Sequence, residues 1–241
     1  MGPDYNGSHS GCKPLWVVDA GRVPYRQAWE LQERLVAGRS AGRGAGGGAD
    51  GGADVLLFVE HPPVITIGRS GLDANVHMSE EALGRLGVDL VRTNRGGDVT
   101  YHGPGQVVGY PIVRLGEGRR DIHAYMRDLE EVIIRTIAGY GLPGGREAGM
   151  TGVWVGGAKV AAIGVAARRW VTYHGFALNV DPDMSHFELI TPCGLVGKPV
   201  TSLRRLLGEA PDVEDVVGRL VEAFCEVFGA VPERVGLEAL A

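Results

Sequence analysis

Cys193 is well placed to act as a nucleophile, because it lies in Ile190-Thr191-Pro192-Cys193-Gly194-Leu195 between a residue that fixes φ and one that permits any φ. Such a turn presents its side chain. A thiol is weakly nucleophilic at neutral pH, with a free pKa of roughly 8.5, so it needs a base or a cation beside it. Without one Cys193 is an inert buried cysteine, and the pattern alone leaves that alternative open. Cys12, in a polar tail, and Cys225, on an apolar-periodic stretch, have weaker claims.

Lys159 is a candidate for the missing base. It opens Val160-Ala161-Ala162-Ile163-Gly164-Val165-Ala166-Ala167, a small apolar run with few groups to solvate an ammonium. Burial would make it usable in catalysis, whereas a lysine at a hairpin end pointing to water would not be. The Gly and Ala that follow leave room for a ligand against the strand. His174-Gly175-Phe176-Ala177-Leu178-Asn179 likewise joins a titratable group to a thin strand. The densest segment is Arg95-Gly96-Gly97-Asp98-Val99-Thr100-Tyr101-His102-Gly103-Pro104-Gly105-Gln106. Its glycines would let backbone N–H groups approach a ligand, with Arg95 and His102 adding charge and hydrogen bonds. The competing reading is an elaborate solvated turn, since no G-x-x-x-x-G-K-[ST] names a phosphate.

The elements that must position these residues are legible in outline. Pro24 opens a helical pattern through Ala28, Trp29, Leu35 and Val36. Val55 to Val59 and Val64 to Ile67 read as strands joined by Glu60-His61-Pro62-Pro63. Ser79 caps a short helix, and Asp121 begins a long one carrying Ile122, Tyr125, Met126, Leu129, Val132, Ile133 and Ile137 on one face. Val88 to Val91, Val99 to His102, Gln106 to Val113 and Val171 to Val180 have strand composition. Gly152 to Val165 reads as a hairpin turning at Gly156-Gly157. A short helical stretch near Leu203 to Leu207 precedes an amphipathic helix, Asp212 to Phe228. Mixed strands and helices without a repeated strand-helix unit predict an α/β fold on a mixed β-sheet, not a doubly wound one.

Composition sets the bounds. The chain has 241 residues, 44% apolar and 22% charged, with 24 Lys+Arg against 29 Asp+Glu and a net charge of −5. That is enough for a sizeable core and argues against nucleic acid as the main partner. No apolar run approaches bilayer length and no secretory leader is visible, so no membrane association and a soluble, cytoplasmic protein are expected. Three scattered cysteines indicate neither a disulfide framework nor a metal site. Residues 37–53 hold eight Gly and five Ala in seventeen positions and are expected to form a flexible insertion. The formal G-x-G-x-x-G inside it lacks the preceding strand and following helix of a dinucleotide site.

Taken in order, the segments resemble the lipoyl(octanoyl) transferase family. The match runs from Glu60-His61-Pro62-Pro63-Val64-Ile65-Thr66-Ile67-Gly68 through the Arg95 block and Val108-Gly109-Tyr110-Pro111. It continues through Lys159-Val160-Ala161-Ala162-Ile163-Gly164, His174 to Asn179, Pro192-Cys193-Gly194 and Thr201-Ser202-Leu203. The long insertion and Met184, where the family pattern has Leu, depart from it.

The resemblance implies a mixed sheet flanked by helices with a smaller C-terminal subdomain, as in the catalytic domain of biotin and lipoate protein ligases. The chain is then a single catalytic domain over 1–241, with a core of about 14–205 and a C-terminal helical part from 206. It implies Cys193 as the acyl-carrying nucleophile and Lys159 as the lysine that tunes it. Substrate contacts fall on Arg95 to His102, on Ala162, Ile163 and Gly164, and on Gly175, Phe176 and Ala177, with His174 in support. No cofactor is implied. The donor would be octanoyl-acyl carrier protein, and the acceptors lipoyl domains of 2-oxoacid dehydrogenase E2 subunits and the glycine cleavage H protein. Arg168, Arg169, Lys198, Arg204 and Arg205 are candidates for a basic docking rim. The rival readings are an ATP-dependent ligase of the same fold, a Cys-His hydrolase and a non-catalytic carrier-binding module.

Overall fold

Five α-helices and eleven β-strands lie in the described residues of this computed structural model, 13–41, 52–191 and 198–240. Cys12, Cys193 with Pro192 and Gly194, and most of the Gly-rich insertion lie outside them. In chain order the strands and helices are β1 (Lys13–Arg22), α1 (Tyr25–Ser40), β2 (Asp54–Glu60), β3 (Val64–Ile67), α2 (Glu80–Arg85), β4 (Asp89–Arg92), β5 (Val99–His102) and β6 (Gln106–Ile112). Then come α3 (Ile122–Ala138), β7 (Gly145–Glu147), β8 (Met150–Val155), β9 (Ala158–Arg168), β10 (Val171–Asn179), α4 (Leu203–Leu207), α5 (Val213–Phe228) and β11 (Ala230–Arg234).

Eight strands form one mixed sheet in the order β11-β1-β2-β6-β10-β9-β8-β7, and β4-β3-β5 form a second, small one. β1 runs parallel to β2 and β11, while the other pairs of the large sheet are antiparallel. Both faces of the large sheet are covered, which is why β2 reads as an unbroken apolar run. Its Leu56 and Phe58 join Leu129, Val132, Ile133, Leu220 and Phe224 of α3 and α5, and its Val55 and Leu57 join Ala28 and Val36 of α1.

Helix starts follow the expected chemistry. The Asp121 carboxylate accepts from the His123 and Ala124 N–H groups, Ser79 Oγ from Ala82, and Asp212 from Glu214 and Asp215. Gly156 and Gly157, with φ of +57° and +80°, make the two-residue turn between β8 and β9.

Strands β2 and β3 stand where the sequence places them and belong to different sheets, parting across Pro62-Pro63. The structure corrects the sequence expectation in three places. Helix α1 runs through Ser40, into the stretch expected to be loop, because Arg39 is buried and its Nη2 pairs with Asp54 Oδ1 at 2.5 Å. Strands β1, β7 and β11 were not expected. The C-terminal part, expected to be helical, adds β11 to the large sheet beside β1.

Candidate active site

A cavity of about 740 Å³, counted with its open mouth, lies on the α1 face of the large sheet under β5 and the Arg95 loop. Its floor follows from strand register. Ala162 pairs with Ala177, and Ala177 in turn with Val108; Gly164 pairs with Gly175 on the same face. All five line the cavity. Side chains this short leave a slot where larger ones would fill the layer. A Cβ at Gly164 would stand 2.9 Å from Gly96 O and 3.3 Å from Arg95 Cδ, so the loop can close over the strand only above glycine.

Lys159 reaches this slot through a β-bulge. Val153 of β8 faces Ala161, yet Trp154 faces Lys159, so β9 carries one extra residue, Val160. Val160 and Ala161 consequently both sit in the core under α3 and α5, and Lys159 turns to the cavity with 6% of its surface exposed. Its Nζ stands 4.8 Å from the centre of the Trp154 ring, a position that favours an ammonium.

His102, His174, Tyr25, Tyr110 and Arg95 make the polar wall, with His61 behind Tyr110. His61 Nδ1 donates to Val23 O at 2.6 Å, which leaves Nε2 to accept from the Tyr110 hydroxyl at 2.7 Å. The Gln106 amide donates to Asn179 Oδ1 and Tyr101 O, so its oxygen accepts from His102 Nδ1 at 3.2 Å and the lone pair of His102 is on Nε2. His174 Nε2 donates to Asn94 Oδ1 at 2.8 Å, and its Nδ1 lies 3.4 Å from the Tyr25 hydroxyl. Burial pushes His61 down to about 4, His174 to about 3 and His102 well below the usual imidazole range. It raises Tyr25 to about 12 and Tyr110 well above its usual value. All five groups are therefore neutral near pH 7. His174 also has φ +54°, a left-handed conformation costing about 1–3 kcal/mol outside glycine, held here by the Gln32 side chain accepting from its N–H at 2.7 Å. Arg95, 7% exposed, donates from Nε and Nη2 to Thr66 Oγ1 at 3.1 and 2.8 Å and from Nη1 to Gly96 O at 3.1 Å.

Of the residues expected in the site, Arg95, Gly97, Val99, Thr100, His102, Lys159, Ala162, Ile163, Gly164, His174, Gly175, Phe176 and Ala177 line the cavity. Gly96, Asp98 and Tyr101 do not. Gly96 donates to Val165 O and pins the loop to β9, and Tyr101 packs into the small sheet's core with its hydroxyl 2.7 Å from His186. The Asp98 carboxylate accepts from Leu72 N and Asn75 Nδ2 and so fixes the turn at 72–75.

Cys193 lies outside the described residues, and the chain on either side of it is held by backbone hydrogen bonds, on the downstream side to the cavity residue Lys159. Thr191 N donates to Asn75 O at 2.8 Å, on the turn that Asp98 holds. On the other side Lys159 N donates to Pro199 O and Thr201 N to Lys159 O, both at 2.9 Å.

Tyr25, Gln106, Tyr110 and Asn179 also line the cavity. None was singled out as a site residue, although Tyr110, Gln106 and Asn179 stood in segments already noted. The five expected basic residues do not gather at one mouth. Arg168 and Arg169 lie at the far end of β9, about 30 Å of extended strand from Lys159. Arg204 is paired with Asp181 at 2.8 Å.

Residues 24–225 match the family model described as the lipoyl protein ligase A/B catalytic domain. An octanoyltransferase of Gloeobacter violaceus is 49% identical over 223 residues, covering 92% of this chain and 94% of the relative. One from Chloroflexus aurantiacus is 48% identical over 232 residues, covering 95% and 99%. The chain belongs to the octanoyltransferase family. It is an enzyme that transfers an octanoyl group. Solved structures extend the fold to ligases. A lipoate-protein ligase A bound with ATP superposes with a TM-score of 0.77 at 16% identity, covering 95% of this chain and 92% of that one. A bipartite lipoate protein ligase from Thermoplasma acidophilum, described with its E2 lipoyl domain, gives 0.71 at 16% identity over 95% and 89%. Those identities speak to the fold alone, which is the mixed sheet flanked by helices expected from the sequence.

Proposed function

We propose that this octanoyltransferase takes its acyl group from the phosphopantetheine thioester of octanoyl-acyl carrier protein and passes it, through a thioester on Cys193, to the ε-amine of a lysine on a lipoyl domain. The observation that carries this reading is the placement of Lys159. Its side chain opens into the slot, while its backbone is bonded on both sides to Pro199 and Thr201, just beyond Cys193.

In the first half-reaction the Cys193 thiolate, held by the Lys159 ammonium, attacks the thioester carbonyl. A carbon–sulfur bond to Cys193 forms, the bond to pantetheine breaks, and the leaving thiolate takes its proton from Lys159. One thioester replaces another, so the acyl group stays activated. Lys159, now neutral, accepts a proton from the incoming lysine ammonium and frees its lone pair for attack. The carbon–nitrogen bond forms and the bond to Cys193 breaks. The nitrogen releases its second proton to solvent, restoring the thiolate and ammonium pair. No other group is consumed. The neutral imidazoles and phenols of the wall fit an uncharged acyl chain, and Arg95, His102 and the loop glycines contact the substrate in this reading.

The acceptor class follows the T. acidophilum ligase described with an E2 lipoyl domain, and the family resemblance adds the H protein of glycine cleavage as a second proposed acceptor. No helix among the described residues is long and apolar enough to cross a membrane, and the reading places the reaction in the cytoplasm.

Intact mass spectrometry after mixing with octanoyl carrier protein tests the reading. The expected result is a hydroxylamine-sensitive octanoyl adduct mapped to Cys193 and absent from Cys193→Ala. Transfer that proceeds without the adduct and requires ATP with free octanoate points instead to the ligase chemistry of the lipoate-protein ligase A that shares the fold.

A further inference from the structure

Glu130 is a carboxylate with no exposed surface on the apolar face of α3, between Leu129 and Val132. Burying such a charge is costly unless it is paired and hydrogen-bonded. Here one oxygen accepts from Arg127 Nη1 at 2.6 Å and Arg146 Nε at 3.0 Å, and the other accepts from Gly152 N at 3.0 Å. Three elements, α3, β7 and β8, therefore meet on one buried side chain.

The meeting point is the bulge that delivers Lys159. Gly152 stands one residue before Val153, where the pairing of β8 with β9 changes register. It has φ +124°, and a Cβ there would lie 2.6 Å from Ala161 O and 3.3 Å from Lys159 Cε. The lysine's methylene chain thus lies across the Gly152 backbone that Glu130 holds from below. Strict alternation back from Gly164 and Ala162 would send Lys159 to the α3 side, so the side chain depends on the bulge for its access to the slot.

We propose that Glu130 is a positioning residue, which by fixing Gly152 sets the bulge at Val160 and thereby the place of the Lys159 amine in the cavity. The proposal rests on the reading that Lys159 acts in acyl transfer, and its test separates the two.

The chain has three lysines, Lys13, Lys159 and Lys198, so reductive ¹³C-methylation gives a sparse NMR spectrum in which Lys159→Arg identifies the resonance of interest. In Glu130→Ala that resonance is expected to move. In unlabelled Glu130→Ala, kcat for octanoyl transfer is expected to fall on the order of 10²-fold with KM little changed, as for a displaced reacting group. Glu130→Gln, which keeps an acceptor for the Gly152 N–H, is expected to rescue most of that loss. If Glu130→Ala does not fold, Glu130→Asp, which keeps the charge and withdraws it by one methylene, is read in the same way. A folded variant whose Lys159 resonance coincides with wild type overturns the proposal, whatever its rate. A displaced resonance with unchanged kcat upholds the placement and removes Lys159 from the chemistry.

Discussion

Lys159 combines two features at the scale of one residue, a side chain over the Trp154 ring and a main chain committed to Pro199 and Thr201. The role proposed for it in both half-reactions predicts that Lys159→Ala slows adduct formation and amide transfer alike, each by about 10²-fold or more, measured by quenched-flow mass spectrometry. Wild-type kinetics for that variant would remove lysine from the mechanism. The alternatives left open by the sequence for this residue are resolved by its burial, which no run of small residues could establish beforehand. Tyr25 and Tyr110 were less legible because a phenol after Pro24 or inside a strand has the same local signature as any packing aromatic. Only the tertiary meeting of α1, β6 and β10 sets them beside His61 and His174.

At the scale of elements, the slot exists because β9 and β10 place Ala162 beside Ala177 and Gly164 beside Gly175. Filling it from the floor should shorten the acyl group accepted. Ala162→Leu is expected to lose octanoyl transfer while sparing butanoyl or hexanoyl donors. Each methylene excluded is worth roughly 0.8 kcal/mol, about fourfold in kcat/KM. Equal losses for every chain length would place the acyl group elsewhere. The strands behind this slot were readable from composition, as were the Gly156-Gly157 turn and the Asp121 and Asp212 caps. Strands β1, β7 and β11 were not. β11 contains Pro232 and is largely exposed, and β7 is three residues long, so neither carries an alternating apolar signal. The bulge at Val160 was also hidden, since one extra residue in a run of Val and Ala changes no pattern.

Across the whole molecule, two buried polar sets govern stability. His61, His102 and His174 are all held neutral, with pKa values in the fold below the ordinary 6.5. The unfolded chain therefore binds more protons below that value. Stability is full above about pH 6.5 and falls as the pH drops toward 4, by up to about 1.4 kcal/mol per pH unit for each histidine. Thermal melts from pH 7.5 to 5 should show this decline, and His61→Gln should make it shallower by about a third; a melting temperature insensitive to pH in that range contradicts the neutral assignment. The second set is Arg39 with Asp54, whose side chains are 5% and 10% exposed. Arg39→Ala leaves the buried Asp54 carboxylate without its ion-pair partner, held by the Arg114 N–H at 3.0 Å, and is expected to cost about 3–5 kcal/mol in denaturant unfolding, with transfer by the folded fraction unchanged. A loss under 1 kcal/mol would show that water reaches the pair. This ion pair was invisible in the sequence because Arg39 sits at the edge of a glycine-rich stretch that promises no order.

The two amide protons that join residue 159 to residues 199 and 201 are also a natural gauge of events at the nucleophile. Deuterium uptake at Lys159 and Thr201 can be followed while the enzyme is loaded and unloaded. If acylation of Cys193 strains the peptide that leads to Pro199, exchange at these two sites quickens while Ala162, three residues further along β9, keeps its rate. Loading and proton traffic would then share a mechanical seam, and a sensor for turnover would already be written into the main chain.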